Sequence, residues 1–313
     1  MWQKTIAMII MAAGLAVTAV EPGIFDRIPQ TAAAAVYLRT EKLFRQPVLL
    51  RITDSGDIRR IRQELALIPW GLPDTIITIF GRNRGYAMLT AYPAGIDKLE
   101  EGLRTRYGKN PAWEIGRGSK NGLDFLSLTL HRERKRDKNY TLVFLAPHVV
   151  LMAGDKSPLS WDVLTGEYNR ALGTKLETMA ATDLVYGYSP EPLQSGFDPV
   201  GMFSQLKQCE FAVAVPSSGD AVVLRGEGQC ADAAAARACR MQLQSFRQIM
   251  LVALFGADQQ LFRSIDRVVT AEATGSRIRL RAEFPPAVLN GIRTYYEGKS
   301  AQFNAVLKQQ LKP

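Results

Sequence analysis

The stretch HRERKRDKNY, residues 131–140, gathers Arg132, Arg134, Lys135, Arg136 and Lys138 against only Glu133 and Asp137. Guanidinium and ammonium groups this close together can hold phosphate or sulfate oxygens by charge-assisted hydrogen bonds, the arginines as bidentate forks. Apolar runs, LDFLSLTL and YTLVFLAPHVVLMAG, flank the segment, so it is expected at the projecting tip of a hairpin. A merely solvated loop has the same composition. Arg82 and Arg84, in the turn GRNRG, extend this basic surface only if both tips face the same way. The anionic partners this chemistry suits are an envelope lipid or an acidic glycan.

Catalytic chemistry is harder to find. The chain has two histidines, His131 and His148, and neither has a nucleophile or carboxylate at a recognisable spacing. No zinc-protease, nucleophile-elbow, phosphate-loop or calcium-loop pattern is present. The glycine-rich GRGSKNG, residues 116–122, precedes a strand where a phosphate loop needs a helix, and is expected to be a flexible connector. No catalytic residue, metal or cofactor is therefore expected. Distant carboxylates can still meet in a fold, which leaves a periplasmic hydrolase acting on an anionic polymer, with its site between two lobes, as the alternative class.

Three cysteines, Cys209, Cys230 and Cys239, permit one disulfide in an oxidising compartment. Cys209 and Cys230 bracket a hairpin and are the expected pair; Cys230 with Cys239 competes, and three free thiols is the third reading. No C-x-x-C spacing suggests zinc.

What positions these groups begins with the N-terminus. Residues 1–19 carry one cation, Lys4, then an uncharged apolar run with small residues at Val17 and Ala19, as a signal peptide cleaved after Ala19 requires. An uncleaved anchor is the competing reading, although the run is shorter than the roughly 20 residues of a spanning helix. The chain is thus expected to be exported to the periplasm or surface of a bacterium. Hydrophobic residues make up 47% of the chain, which argues for packed domains. The net charge of +9 favours anionic partners, and export makes nucleic acid the less accessible one.

Two stretches share one layout. TIITIFGRNRGYAMLTAYP, residues 75–93, and EFAVAVPSSGDAVVLRGEG, residues 210–228, each read as a hairpin, followed by a helix with an aspartate, Asp97 or Asp232, near its start. Leu89 and Leu224 align at the same offset. A strand centred on Val-Tyr precedes each hairpin, at Val36-Tyr37 and Val185-Tyr186. This pattern predicts an α+β fold of two similar lobes, residues 20–172 and 173–313, arising by internal duplication, each an antiparallel sheet with helices packed on one face. The segment NRALGTKLETMAAT, residues 169–182, is the expected boundary. A C-terminal helix places Phe303, Val306, Leu307 and Leu311 on one face, for packing or for a protein partner. Together these readings describe a non-enzymatic binding or assembly scaffold of the envelope.

Overall fold

The computed structural model describes residues 23–39, 75–81, 86–91, 95–133, 136–154, 167–191, 205–216 and 221–310. Short runs of β-branched and aromatic residues supply its strands. A 3-10 turn, Phe25–Arg27, leads into β1 (Ala32–Arg39), β2 (Thr75–Gly81) and β3 (Tyr86–Ala91), then helix α1 (Ile96–Tyr107). Four strands follow: β4 (Trp113–Lys120), β5 (Leu123–Leu130), β6 (Lys138–Ala146) and β7 (Val149–Gly154). Helix α2 (Arg170–Ala180) precedes β8 (Val185–Ser189), β9 (Leu206–Ala214) and β10 (Val222–Cys230). The chain continues through α3 (Ala233–Phe255), α4 (Gln259–Val268), β11 (Val269–Thr274), β12 (Arg277–Phe284) and α5 (Pro286–Gln310).

The fold is mixed α+β, but the strands form one sheet where two were expected. Among the described residues its 12 strands run in the order β11-β12-β10-β9-β8-β1-β2-β3-β7-β6-β5-β4, each pair antiparallel. The join is between β1 and β8, where Tyr37 lies opposite Tyr186. Unpaired edges expose a row of backbone donors and acceptors, and this join closes two of them.

Helices cover both faces, which corrects the expectation of one. A row running Phe125, Val143, Leu151, Leu89, Ile77, Tyr37, Tyr186, Ala212 crosses eight strands on one face. Leu172, Leu176 and Ala180 of α2, with Ile24, Phe25 and Ile28 around the 3-10 turn, bury the centre of that row. Most of the segment 169–182 is this helix. On the other face Leu99 and Leu103 of α1 pack on Leu126, Leu128, Leu142, Phe144 and Val150. At the far end of that second face, Ala236 and Cys239 of α3 cover Leu206, Cys230 and Ile278. Leu261 and Ile265 of α4 join Leu251, Phe255 and Val288 beside them. No helix among the described residues is long and apolar enough to cross a membrane.

Three local expectations change. GRGSKNG is no loose connector: it runs from β4 into a two-residue turn in which Asn121 (φ 53°) and Gly122 (φ 76°) adopt the left-handed conformation that tight hairpins require. Leu89 and Leu224 are not structural equivalents, because Ile77 faces Leu89 whereas Ala212 faces Arg225. Relative to the 135-residue offset, the register of the second hairpin is shifted by one residue, which moves Leu224 to the opposite face. Asp232 caps α3 by accepting from Ala235 N–H, while α1 begins at Gly95 without a side-chain cap. Asp97 instead binds Arg117 of β4 at 2.7 Å, beside Glu100 at 3.2 Å.

Gly173 fixes how closely the 3-10 turn approaches α2, since a β-carbon there would overlap the Phe25 carbonyl oxygen. Gly173→Ala gains up to ~1 kcal/mol of helix propensity. It must also push away a backbone segment, and overpacking costs about 1–3 kcal/mol. A net fall in thermal midpoint is expected, and an unchanged or higher one would refute this packing.

Candidate functional site

The cover supplied by α2 ends at β8, and beyond it the same sheet face becomes polar. Strand alternation places Cys209, Phe211 and Val213 on one face of the sheet and leaves Gln208 and Glu210 on the other. Glu210 marks the transition. Its carboxylate accepts from the Tyr186 hydroxyl at 2.6 Å and pairs with Lys175 of α2 at 3.0 Å. Partial burial opposes its charge, but these two donors outweigh that cost and hold Glu210 below the usual carboxylate range. Burial, reinforced by Glu210, pushes the Tyr186 hydroxyl well above the ordinary tyrosine range. Lys175 also lies 5.5 Å from the centre of the Tyr188 ring.

Glu227 stands directly opposite Glu210 on β10. Like charges across a ladder repel, so each carboxylate needs its own cation. Glu227 has two at long range, Arg277 at 3.9 Å and Arg279 at 3.7 Å. A recess of about 170 Å³ opens between these groups, lined by Lys175, Gln208, Glu210, Glu227, Gly228, Gln229 and Arg277. Beside it Arg277, Arg279 and Arg281 project from alternate positions of β12, with side chains 63%, 64% and 68% exposed. Their spacing along the strand is about 7 Å. The face is not uniformly basic, because Glu283 pairs with Arg281 at 3.2 Å.

Below this surface Asp183 is fully buried and binds Arg225 of β10 at 2.5 Å through one carboxylate oxygen. Its other oxygen has no hydrogen-bond partner. Burial raises the Asp183 pKa, and Arg225 only partly opposes it.

In the basic tip, some of the donors are used within the loop itself. Arg132 turns back on its own loop and donates from Nε to the Arg136 carbonyl at 3.0 Å, while its backbone N–H donates to Asp137. Arg136 and Lys138 lie in the described part of the tip; Arg134 and Lys135, like Arg82 and Arg84, lie outside the described residues. His131, read from the sequence as having no carboxylate partner, contacts Asp137 at 2.9 Å and Glu114 of β4 at 3.5 Å. Its hydrogen bond to Asp137 is the main reason that its pKa rises above 6.5.

None of Cys209, Cys230 and Cys239 is in a disulfide. Cys209 lies opposite Gly228, and Cys230 opposite Leu206, so the two are diagonal neighbours. Phe303, Val306 and Leu307 fall within α5, but their side chains, and Leu311 entirely, lie outside the described residues. A second, open trough of about 1090 Å³ runs between α4 and α5 past Asp258, Ser264, Gly291 and Tyr295. Among the described residues no cluster of His, Cys, Asp and Glu is suited to hold a metal.

Comparison with protein-family models, with curated proteins and with solved structures gave no match. The functional reading therefore rests on these side chains. The arginine alternation in RIRLR, residues 277–281, was visible in the sequence as a strand with one charged face. The meeting of Glu210, Glu227 and Lys175 was not, because it depends on strand register and on where α2 lies.

Two measurements probe this electrostatic arrangement. Replacing Arg225 by Ala leaves Asp183 buried without its cation; because the guanidinium is half exposed, the cost should be ~1–3 kcal/mol, less than for a fully buried pair. Asp183 has a folded pKa above its unfolded one, so its ionisation costs stability as pH rises through the folded value. The Arg225→Ala deficit in denaturant melts should accordingly be small below about pH 4 and grow toward neutrality. His131 has the opposite charge and the same direction of shift: its stabilisation is complete below 6.5 and lost as pH rises through its folded pKa. Proton NMR should find it titrating above 6.5 in the wild type and nearer 6.5 in Asp137→Asn; equal midpoints would exclude the contact.

Proposed function

We propose that the chain is an exported, non-enzymatic envelope protein, periplasmic or surface-located, that acts as a binding scaffold for an anionic partner. The observation that carries this reading is the row Arg277, Arg279 and Arg281, exposed on an open sheet face with a polar recess at its end. Guanidinium groups at regular spacing suit the phosphate, sulfate or carboxylate groups of a lipid headgroup or an acidic glycan. The N-terminal pattern of residues 1–19 supports export.

Internal duplication is part of the same proposal. The halves order their strands alike, β1-β2-β3-β7-β6 and β8-β9-β10-β12-β11, with a helix after the third strand of each. The matching tyrosines, Tyr37 and Tyr186, face each other at the join, as a local two-fold between related halves requires. On this reading the β4-β5 hairpin is an addition to the first half.

One observation favours the hydrolase alternative: Glu210 and Glu227 oppose each other across the recess. An acid–base pair needs one carboxyl protonated at working pH. Tyr186 and Lys175 hold Glu210 below the usual carboxylate range, which excludes it as the acid, and the exposed arginine row beside the recess suits binding more than cleavage, so the scaffold reading is preferred.

The full chain, expressed in a Gram-negative host, is expected in the periplasmic fraction with Val20 as its first residue by N-terminal sequencing. The recovered protein is then titrated with phosphatidylglycerol vesicles and, separately, with a uronic-acid polysaccharide, at low and high salt. With ~1 kcal/mol per arginine near an anionic surface, R277S/R279S/R281S should weaken vesicle binding about 100-fold. R132S/R136S should weaken it far less. Equal affinity of wild type and triple variant for both probes would sink the proposal, whereas polymer cleavage abolished by Glu210→Gln or Glu227→Gln would establish the hydrolase.

A further inference from the structure

Cys230 ends β10 and Cys239 lies in the second turn of α3, one strand-to-helix connection later. Both are buried, at 1% and 0% exposure, in one cluster with Leu206, Ala236 and Ile278. Their thiols share a hydrogen bond. The spacing Ala236, Cys239, Leu243 puts Cys239 on the stripe of α3 that faces the sheet. The Asp232 cap fixes where that helix starts, and with it the direction in which Cys239 points.

Cys209 is differently placed. It is diagonal to Cys230, and diagonal residues of an antiparallel pair stand about 7–8 Å apart, beyond the roughly 4.4–6.8 Å between α-carbons that a disulfide spans. The gap is also filled. The Leu206 side chain leans over Gly228, the residue opposite Cys209, where a β-carbon at Gly228 would collide with it. Bridging Cys209 to Cys230 would displace Leu206, itself only 5% exposed, from the cluster.

We propose that Cys230 and Cys239 are a disulfide-forming pair that staples the end of β10 to α3, with Cys209 remaining a thiol. The oxidant is a disulfide of the glutathione class. One cysteine thiolate attacks it, forming a mixed disulfide and releasing one thiolate; the second cysteine thiolate then attacks the protein-bound sulfur and releases the other. The two protons lost by the cysteines pass to the two released thiolates, so one oxidant disulfide is reduced for each bridge formed. Because both thiols are buried, the reaction proceeds during folding or through local opening at the start of α3. The pairing follows from the fold and holds whether or not the chain is exported.

The sequence makes the test direct, since trypsin places each cysteine in its own peptide: residues 208–225, 226–237 and 238–240. The purified full chain is incubated with oxidised glutathione, its remaining thiols are alkylated in denaturant, and the digest is analysed by mass spectrometry without reduction. The expected product is 226–237 linked to 238–240, with 208–225 alkylated. A link between 208–225 and 226–237, or alkylation of all three peptides, would overturn the assignment. Cys209→Ser should oxidise like the wild type and Cys239→Ser should form no bridge. If Cys239→Ser does not fold, the wild type and Cys209→Ser still decide the question. Thermal melting adds an independent readout: oxidation should raise the midpoint and dithiothreitol should reverse it, in wild type and Cys209→Ser alike.

Discussion

The structure depends on the pairing of β1 with β8. Without it the strands would make two sheets, each with a bare edge in the middle of the molecule; with it they make one, whose remaining edges are β4 and β11. Tyr37 and Tyr186 meet at this join, both essentially inaccessible, under α2 and the 3-10 turn. The aromatic pair supplies apolar area where the two halves touch, and α2 excludes water from both at once. Burial raises the Tyr37 hydroxyl to about 12, which marks how dry the join is.

The same helix determines where polar chemistry becomes possible. Lys175 lies on α2, at the limit of its cover, and reaches Glu210 where the row of apolar side chains gives way to charge. One face of one sheet thus changes from core to solvent-facing within two strands, between Tyr186 and Arg225. The change is anchored from below by Asp183, whose desolvation is tolerated because Arg225 reaches it from the exposed side. Charged groups on this face are therefore held by the core's own boundary, and their positions follow from packing.

Much of this was legible in the residues themselves. The hairpins at 75–91 and 206–230, the helices after them and the Val-Tyr strands appear where alternation and helix-start chemistry put them. Register was not legible: the pairing of the second hairpin is shifted by one residue, so Leu224 lies on the opposite face while Arg225 takes the place corresponding to Leu89. The Asn121-Gly122 turn has a strong local signature but was masked by the glycines before it, which read as a loose segment. Partners distant in sequence were beyond pattern reading: His131 with Glu114, Arg117 with Asp97, and Glu210 with Lys175 meet only because strands and helices bring them together. The basic run at 131–138 shows the reverse. Its composition suggested free cations, yet Arg132 spends hydrogen bonds on its own turn.

The β1–β8 join also orders events in time. About 150 residues separate its two tyrosines, so at 5–20 residues per second β8 leaves the ribosome roughly 8–30 s after β1. Throughout that interval β1 has at most one neighbour, β2. The seam at the sheet's centre therefore closes only after β2 to β7 have emerged, and until then the free edge of β1 is open to other chains.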